Sequence, residues 1–255
     1  MNKHIAWLKI NEHPGGGIRC WGDGAAYPEV TGYLIPTLLN YGDGYLVERC
    51  INWLLSIQQP CGAFPGMDEK LYTFDNGAIV EGLEAYYQHT GSTEVYDALT
   101  RCREWIARHA RHDGHYYLTP YNHNAAVHNV RVNWIMRSAP HLWFWRDARE
   151  RSHYLAYGLE GYLRGGWFVE NAKEKLASFP FHFDGLAPMW IDNGVMVGTD
   201  VIATAQLAIL KLFCGMNADK QIDAVRKWGN IQSIEYPQPM SWGAKFILDM
   251  ERLCN

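Results

Sequence analysis

The sequence predicts an all-α fold, an α/α toroid in which helical hairpins form a ring around one central cleft. Three observations favour this fold class. Apolar residues recur with helical spacing along most of the chain. A pair of helices followed by a turn is repeated after about 46 residues, within the range of helical-pair repeats. No run of five or more residues alternates convincingly between apolar and polar side chains, so strands should be minor.

The first predicted hairpin begins at Glu29. Its first helix ends at Gly42, and Pro36 inside it can introduce a kink. Its second helix carries apolar residues over 46–57 and ends before Pro60. The first helices of the hairpins are apolar and rich in Gly and Ala, whereas the second helices carry the charge. This division favours a closed ring over an open solenoid, which helical pairs also form.

The second predicted hairpin begins at Asp75, with Gly91 ending its first helix and Ser92 capping the next. Later copies diverge, and helices are expected near 125–139, 153–164, 167–178, 200–214, 217–229 and 241–253. About ten helices with about six in the inner layer are expected, as one domain over residues 1–255 because no linker is visible. The repeat weakens after residue 115, which allows an incomplete or irregular ring in the second half.

Composition narrows the function. A net charge of -4 gives no electrostatic reason to expect nucleic acid. There is no signal-peptide pattern, no apolar run long enough to span a membrane and no Cys-x-x-Cys pair, so we expect a cytoplasmic protein with reduced cysteines. The 11 Trp, 15 Tyr and 9 Phe exceed what is usual, and we expect roughly a quarter of them to line a sugar-binding cleft.

The segment 53–59 with Gly62 and Phe64, followed by 72–77, resembles the repeat of α/α-toroid proteins. That group includes protein prenyltransferases, terpene cyclases and many sugar-processing toroids. The segments 27–33, 74–75, 153–161 and 236–246 resemble uncharacterised toroids encoded with bacterial polysaccharide-biosynthesis enzymes. The resemblance implies the toroid fold over most of the chain and a role with an oligosaccharide or polysaccharide. The acid motif of squalene-type cyclases and the zinc ligands of prenyltransferases are missing, and no cofactor or metal is expected.

In such a ring the loops that enter the inner helices point into the cleft, so carboxylates at those places are candidates for glycoside hydrolysis. That reaction needs one carboxylic acid and one carboxylate. The candidate pairs join Glu29 or Asp75 with Asp192 or Asp200. The alternative is that Asp75 and Asp200 only cap their helices.

A uronate lyase or epimerase needs a base, an acid and donors for the substrate carboxylate. Tyr121 with His123 or His128 could exchange protons, and Asn124 and Arg131 could hold the carboxylate. The alternative for this stretch is a polar loop and helix start. The two histidines are five positions apart, off the i, i+4 spacing of helical metal ligands.

Further residues are expected to contact the sugar: Tyr27, Phe74, Asn76, His153, Tyr157, Trp190 and Trp242. For His153 and Tyr157, packing in the core is an equal alternative. His153 and Tyr157 are one helical turn apart and can face the same way. The leading hypothesis is a carbohydrate-active enzyme, either a glycoside hydrolase or a uronate lyase or epimerase. The alternative is a non-catalytic glycan-binding or assembly protein of a polysaccharide pathway.

Overall fold

The computed structural model describes residues 2–109, 116, 118, 125–140, 150–192, 194–228 and 240–254. These residues form 11 helices and three short strands: α1 (Lys3–Ile10), α2 (Pro28–Asn40), α3 (Gly44–Ile57), α4 (Thr73–Thr90), α5 (Thr93–Ala107), α6 (Ala125–Met136), β1 (Glu150–Arg151), α7 (Ser152–Gly165), α8 (Val169–Ala177), β2 (Trp190–Asp192), β3 (Val195–Val197), α9 (Val201–Phe213), α10 (Asp219–Trp228) and α11 (Ser241–Leu253). None of the described helices has the length and apolar character needed to cross a lipid bilayer.

Six of the helices form a closed inner ring. In order around the ring they are α2, α4, α6, α7, α9 and α11, and α11 packs back against α2. The outer helices α3, α5, α8, α10 and α1 pack on α2, α4, α7, α9 and α11, respectively. The predicted α/α toroid is confirmed, and the ring is complete where the sequence allowed an incomplete one.

Glycines let the inner helices approach each other closely. A Cβ at Gly32 of α2 would lie 2.5 Å from the Ile79 Cα of α4, and a Cβ at Gly82 of α4 would lie 2.1 Å from the Gly32 carbonyl oxygen. At the α6–α7 contact, a Cβ at Gly161 would lie 2.4 Å from the Val130 carbonyl carbon. No side chain fits at these positions, which explains the glycine content of the predicted first helices.

Side-chain caps begin some of the described helices, whereas others, such as α2 and α4, begin without one. Ser92 caps α5 through the Val95 N–H, and Asp200 caps α9 through the N–H groups of Ile202 and Ala203. Asp75, however, lies inside α4, which begins at Thr73. Its side chain contacts Tyr27, the N-cap residue of α2, so Asp75 does more than cap its own helix.

The two faces of the ring differ in their connections. The C-terminal ends of the inner helices are joined to outer helices by short turns, such as 41–43, 91–92 and 214–218. The N-terminal ends are reached through long segments, such as 11–27, 58–72 and 178–200. β1, β2 and β3 form one small antiparallel sheet in the segments that precede α7 and α9. We refer to the two sides as the N-terminal face and the C-terminal face.

Candidate functional site

A pocket of about 130 Å³ opens at the N-terminal face, where α2, α7, α9 and α11 begin. We call it the N-face pocket. It is lined by the polar residues Glu29, Arg151, His153, Tyr157 and Asp200, and by the aromatic residues Trp21, Tyr27, Tyr33, Tyr154 and Trp242. Aromatic walls with a few convergent polar groups are typical of small-molecule and sugar sites.

The side chain of Glu29 influences the pKa of several residues around this pocket. It lies in the first turn of α2 and is 3% exposed. Burial, followed by the charge of Glu29, raises the pKa of Tyr27 and of Tyr157. Both tyrosines therefore keep their protons at neutral pH. The Tyr27 hydroxyl donates its hydrogen to Asp75, and the Tyr157 hydroxyl can act as a hydrogen-bond donor to a ligand.

Asp75 lies behind Tyr27 and is fully buried. The Tyr27 hydroxyl is 3.0 Å from Asp75 Oδ2, and Oδ1 has no hydrogen-bond partner in the described part of the chain. Burial, followed by the charge of Glu29, raises the pKa of Asp75 well above its ordinary value. Asp75 does not line the N-face pocket itself. It contacts Tyr27, which does line the pocket.

His153 stands in the wall of the pocket, partly buried, in the first turn of α7. Its Nδ1 atom is 2.6 Å from Gln206 Oε1. Burial, followed by the charge of Arg151, lowers the pKa of His153 to about 3, so its ring is neutral at pH 7. The ring packs against Tyr157 with centroids 4.8 Å apart and meets Phe246 edge-on at 6.0 Å.

Several predicted site residues serve the fold instead. Phe74 packs its ring edge-on against Tyr157 at 5.2 Å. The Asn76 side chain binds the backbone N–H and carbonyl of Phe64, so its amide is not directed at a ligand.

Arg131, which was expected to hold a substrate carboxylate, does not line the N-face pocket. Its buried guanidinium pairs with Glu81 and Glu160, and it lies 5.4 Å from the centre of the Tyr157 ring. The guanidinium of Arg131 is thus already paired with two carboxylates of the protein itself.

The remaining candidates lie outside the pocket lining or outside the described residues. Trp190 and Asp192 are half-buried on β2, and the Arg151 guanidinium lies 5.6 Å from the centre of the Trp190 ring. Tyr121, His123 and Asn124 fall outside the described residues, as does the side chain of His128. Their predicted roles stay predictions.

Among the residues of this region that sequence reasoning missed are Trp21, Tyr33, Arg151 and Gln206. Arg151 had a usable signal, because it stands two positions before His153, at the N-cap of the helix that carries His153. Gln206 had another, because it interrupts the apolar run 201–210 of a buried inner helix. In the described part of the chain no group of three or more His, Cys, Asp or Glu is arranged to hold a metal ion.

Comparison with solved structures places this geometry in a known architecture. An alpha-amylase from Clostridium perfringens superposes with a TM-score of 0.71 at 10% identity, over 99% of this chain and 97% of that chain. PssZ from Listeria monocytogenes gives 0.69 at 9% identity, over 99% and 95%. An unsaturated glucuronyl hydrolase specific for heparin gives 0.67 at 14% identity, over 98% and 93%.

No protein-family model and no curated protein sequence matches the chain. A type II terpene cyclase from Scytonema also shares the architecture, so the architecture by itself does not decide the chemistry. At these low identities the likeness shows the fold, and the chain is an α/α toroid like the glycoside hydrolases among its structural neighbours.

Proposed function

We propose that the protein is a carbohydrate-active enzyme that hydrolyses a glycosidic bond of an oligosaccharide or polysaccharide in the N-face pocket. One observation carries the proposal: Tyr27 connects the N-face pocket, which is lined by the buried carboxyl group of Glu29, to the buried carboxyl group of Asp75, whose pKa is raised well above its ordinary value. Glycoside hydrolysis needs a carboxylic acid beside a carboxylate. The aromatic lining of the pocket and the carbohydrate-acting neighbours of the fold support the substrate class.

In the proposed mechanism Asp75 supplies the proton and Tyr27 delivers it. The Tyr27 hydroxyl donates to Asp75 Oδ2 over 3.0 Å in the structure. Once Asp75 carries a proton on Oδ2, this hydrogen bond reverses and the Tyr27 O–H can donate into the pocket. As the bond between the anomeric carbon and the glycosidic oxygen breaks, the proton moves from Tyr27 to that oxygen and Asp75 reprotonates Tyr27. Glu29 acts as the anionic partner, and one water molecule supplies the new hydroxyl and restores the proton of Asp75.

The test measures new reducing ends from starch, carboxymethylcellulose and heparin oligosaccharides. On the glycan that is cleaved, Glu29→Gln and Asp75→Asn are each expected to lower kcat by roughly 10²- to 10⁴-fold. Tyr27→Phe should also lower it, because the relay to Asp75 is cut. Asp223→Asn, on the exposed side of α10, is the matched control and should keep wild-type activity.

Stability measurements separate chemistry from folding. Asp75→Asn should hold or raise the melting temperature, since the raised pKa of Asp75 means that folding near neutral pH must either protonate this carboxyl group or bury its charge, and asparagine needs neither. Full activity in both Glu29→Gln and Asp75→Asn would exclude this pair. Loss in Asp192→Asn alone would instead favour the Asp192 pairing expected from sequence.

A second candidate is proton abstraction from a uronic acid, by a lyase or epimerase. It is favoured by Arg151, His153 and Tyr157, because a cation, a neutral imidazole and a hydroxyl line the same pocket. A lyase would form an unsaturated uronate that absorbs in the near ultraviolet, and an epimerase would exchange a substrate hydrogen with deuterated water. Tight glycan binding without turnover would support the non-catalytic alternative. The cytoplasmic location stays a prediction.

A further inference from the structure

Gln206 stands between the two faces of the ring. It lies on α9, is 4% exposed, and its Oε1 atom is 2.6 Å from His153 Nδ1 in the wall of the N-face pocket. The same residue also lines a second pocket of about 250 Å³ at the C-terminal face, together with the carboxylates Glu81, Glu160 and Asp249.

The chemistry of the two groups fixes which atom carries the hydrogen. An amide oxygen only accepts hydrogen bonds, and a neutral imidazole has one nitrogen that donates and one that accepts. With Oε1 facing His153, the hydrogen must be on Nδ1, and Nε2 is left with a lone pair. The amide NH₂ then turns toward the C-terminal face, where carboxylates provide a favourable field for it.

We propose that Gln206 is a positioning residue that holds His153 in the Nδ1–H tautomer, so that Nε2 accepts a hydrogen bond from a sugar hydroxyl and disfavours a carboxylate at that place. The step from tautomer to ligand rests on the proposed function, whereas the tautomer itself does not. A carboxylate oxygen has no hydrogen to offer the lone pair of Nε2. Protonation of the ring to bind it is costly, since burial and Arg151 hold the pKa of His153 at about 3.

The tautomer is tested by nitrogen NMR on the full chain labelled with ¹⁵N-histidine, without ligand. The His153 signals are assigned by their loss in His153→Gln. In the wild type at pH 7 we expect a protonated Nδ1 and an unprotonated Nε2. Gln206→Met should convert His153 to a mixture or to the Nε2–H form, and Gln206→Glu should restore the Nδ1–H signal because it keeps the acceptor oxygen.

Gln221→Met is the matched control, since Gln221 is also a buried glutamine, 5% exposed, whose Oε1 accepts a hydrogen bond from Lys211 away from His153. It should leave the His153 signals unchanged. A protonated Nε2 in the wild type would overturn the proposal. So would a His153 pattern that Gln206→Met leaves intact in a protein that is still folded.

The ligand step is tested by calorimetric titration with two probes, maltohexaose as a neutral glycan and a heparin tetrasaccharide as a uronate. Gln206→Met should weaken maltohexaose binding by about 10-fold, the effect of one lost hydrogen bond, and change the uronate by less. Equal weakening of both probes would overturn hydroxyl selection. If neither probe binds the wild type, both the hydroxyl selection and the proposed function fail, and the NMR result still decides the role of Gln206.

Discussion

The two faces of the ring differ in how their charged and buried polar groups are paired. At the C-terminal face charged groups are paired: Arg131 with Glu81 and Glu160, Arg164 with Glu160 at 3.0 Å, and Lys245 with Asp249 at 2.7 Å. At the N-terminal face buried polar atoms are left without partners in the described residues, among them Asp75 Oδ1 and Ser152 Oγ.

This difference indicates that the N-terminal face contributes less to the stability of the fold than the C-terminal face. Unpaired buried polar groups and carboxyls held in their protonated form oppose folding, and they concentrate where chemistry is done. The long connections also lie at the N-terminal face, and loops carried by a rigid scaffold are the usual carriers of function. The C-terminal face, with short turns and paired charges, is therefore expected to hold the ring together.

The largest effect is expected from breaking the ion pairs of the stable face. Arg131→Met leaves the carboxylates of Glu81 and Glu160 without their shared cation, and should lower the free energy of unfolding by about 3–5 kcal/mol. Urea unfolding measures it. The control is Arg137→Met, whose side chain is 76% exposed and pairs with Glu84, and it should cost about 1 kcal/mol or less. Equal costs for the two variants would refute the comparison.

A smaller effect is expected from acid at the N-terminal face. His153 has a pKa of about 3 in the folded protein and the ordinary value of 6.5 when unfolded. As pH falls below 6.5 the unfolded chain binds a proton that the folded chain does not, so stability decreases with falling pH until about pH 3. Between pH 6.5 and about pH 4 this costs at most about 3 kcal/mol.

Urea midpoints across that pH range check the effect of His153. The difference between wild type and His153→Gln should grow as pH falls, because the variant cannot take up the proton. The matched variant His89→Gln, at an exposed position of α4, should follow the wild type at every pH. A pH-independent difference for His153→Gln would show that His153 titrates normally in the folded protein.

The sequence predicted the elements whose signals are local. The hairpins beginning near Glu29 and Asp75 were found within two residues of α2 and α4, because periodic apolar residues and the stop at Gly91 are read along the chain. The helix α1 was missed because lysine and histidine interrupt its apolar positions, and its burial comes from packing on the distant α11. Ring closure is likewise a contact between segments far apart in sequence.

The site was predictable only in part, for a related reason. The fold places helix starts at one rim, which correctly gathered Glu29, His153 and Tyr157 at one pocket. Residue type alone does not say whether a polar side chain is used by a ligand or by the protein. The side chain of Asn76 forms hydrogen bonds with the backbone of Phe64, and Arg131 forms ion pairs with two glutamates. Both sets of contacts depend on three-dimensional packing.

The smallest effect is expected at Asp200, a carboxylate that lines the N-face pocket and also caps α9. Its Oδ1 accepts hydrogen bonds of 2.9 Å from Ile202 and Ala203 at the start of α9. Asp200→Ala removes this cap and should lower the free energy of unfolding by about 1 kcal/mol, while Asp200→Asn keeps an acceptor oxygen and should cost less. Thermal unfolding of the two variants separates the hydrogen bonds from the charge. If asparagine is as costly as alanine, the negative charge at the positive end of the helix dipole stabilises α9 more than the hydrogen bonds do, and the N-terminal face would then contain a charge that favours folding.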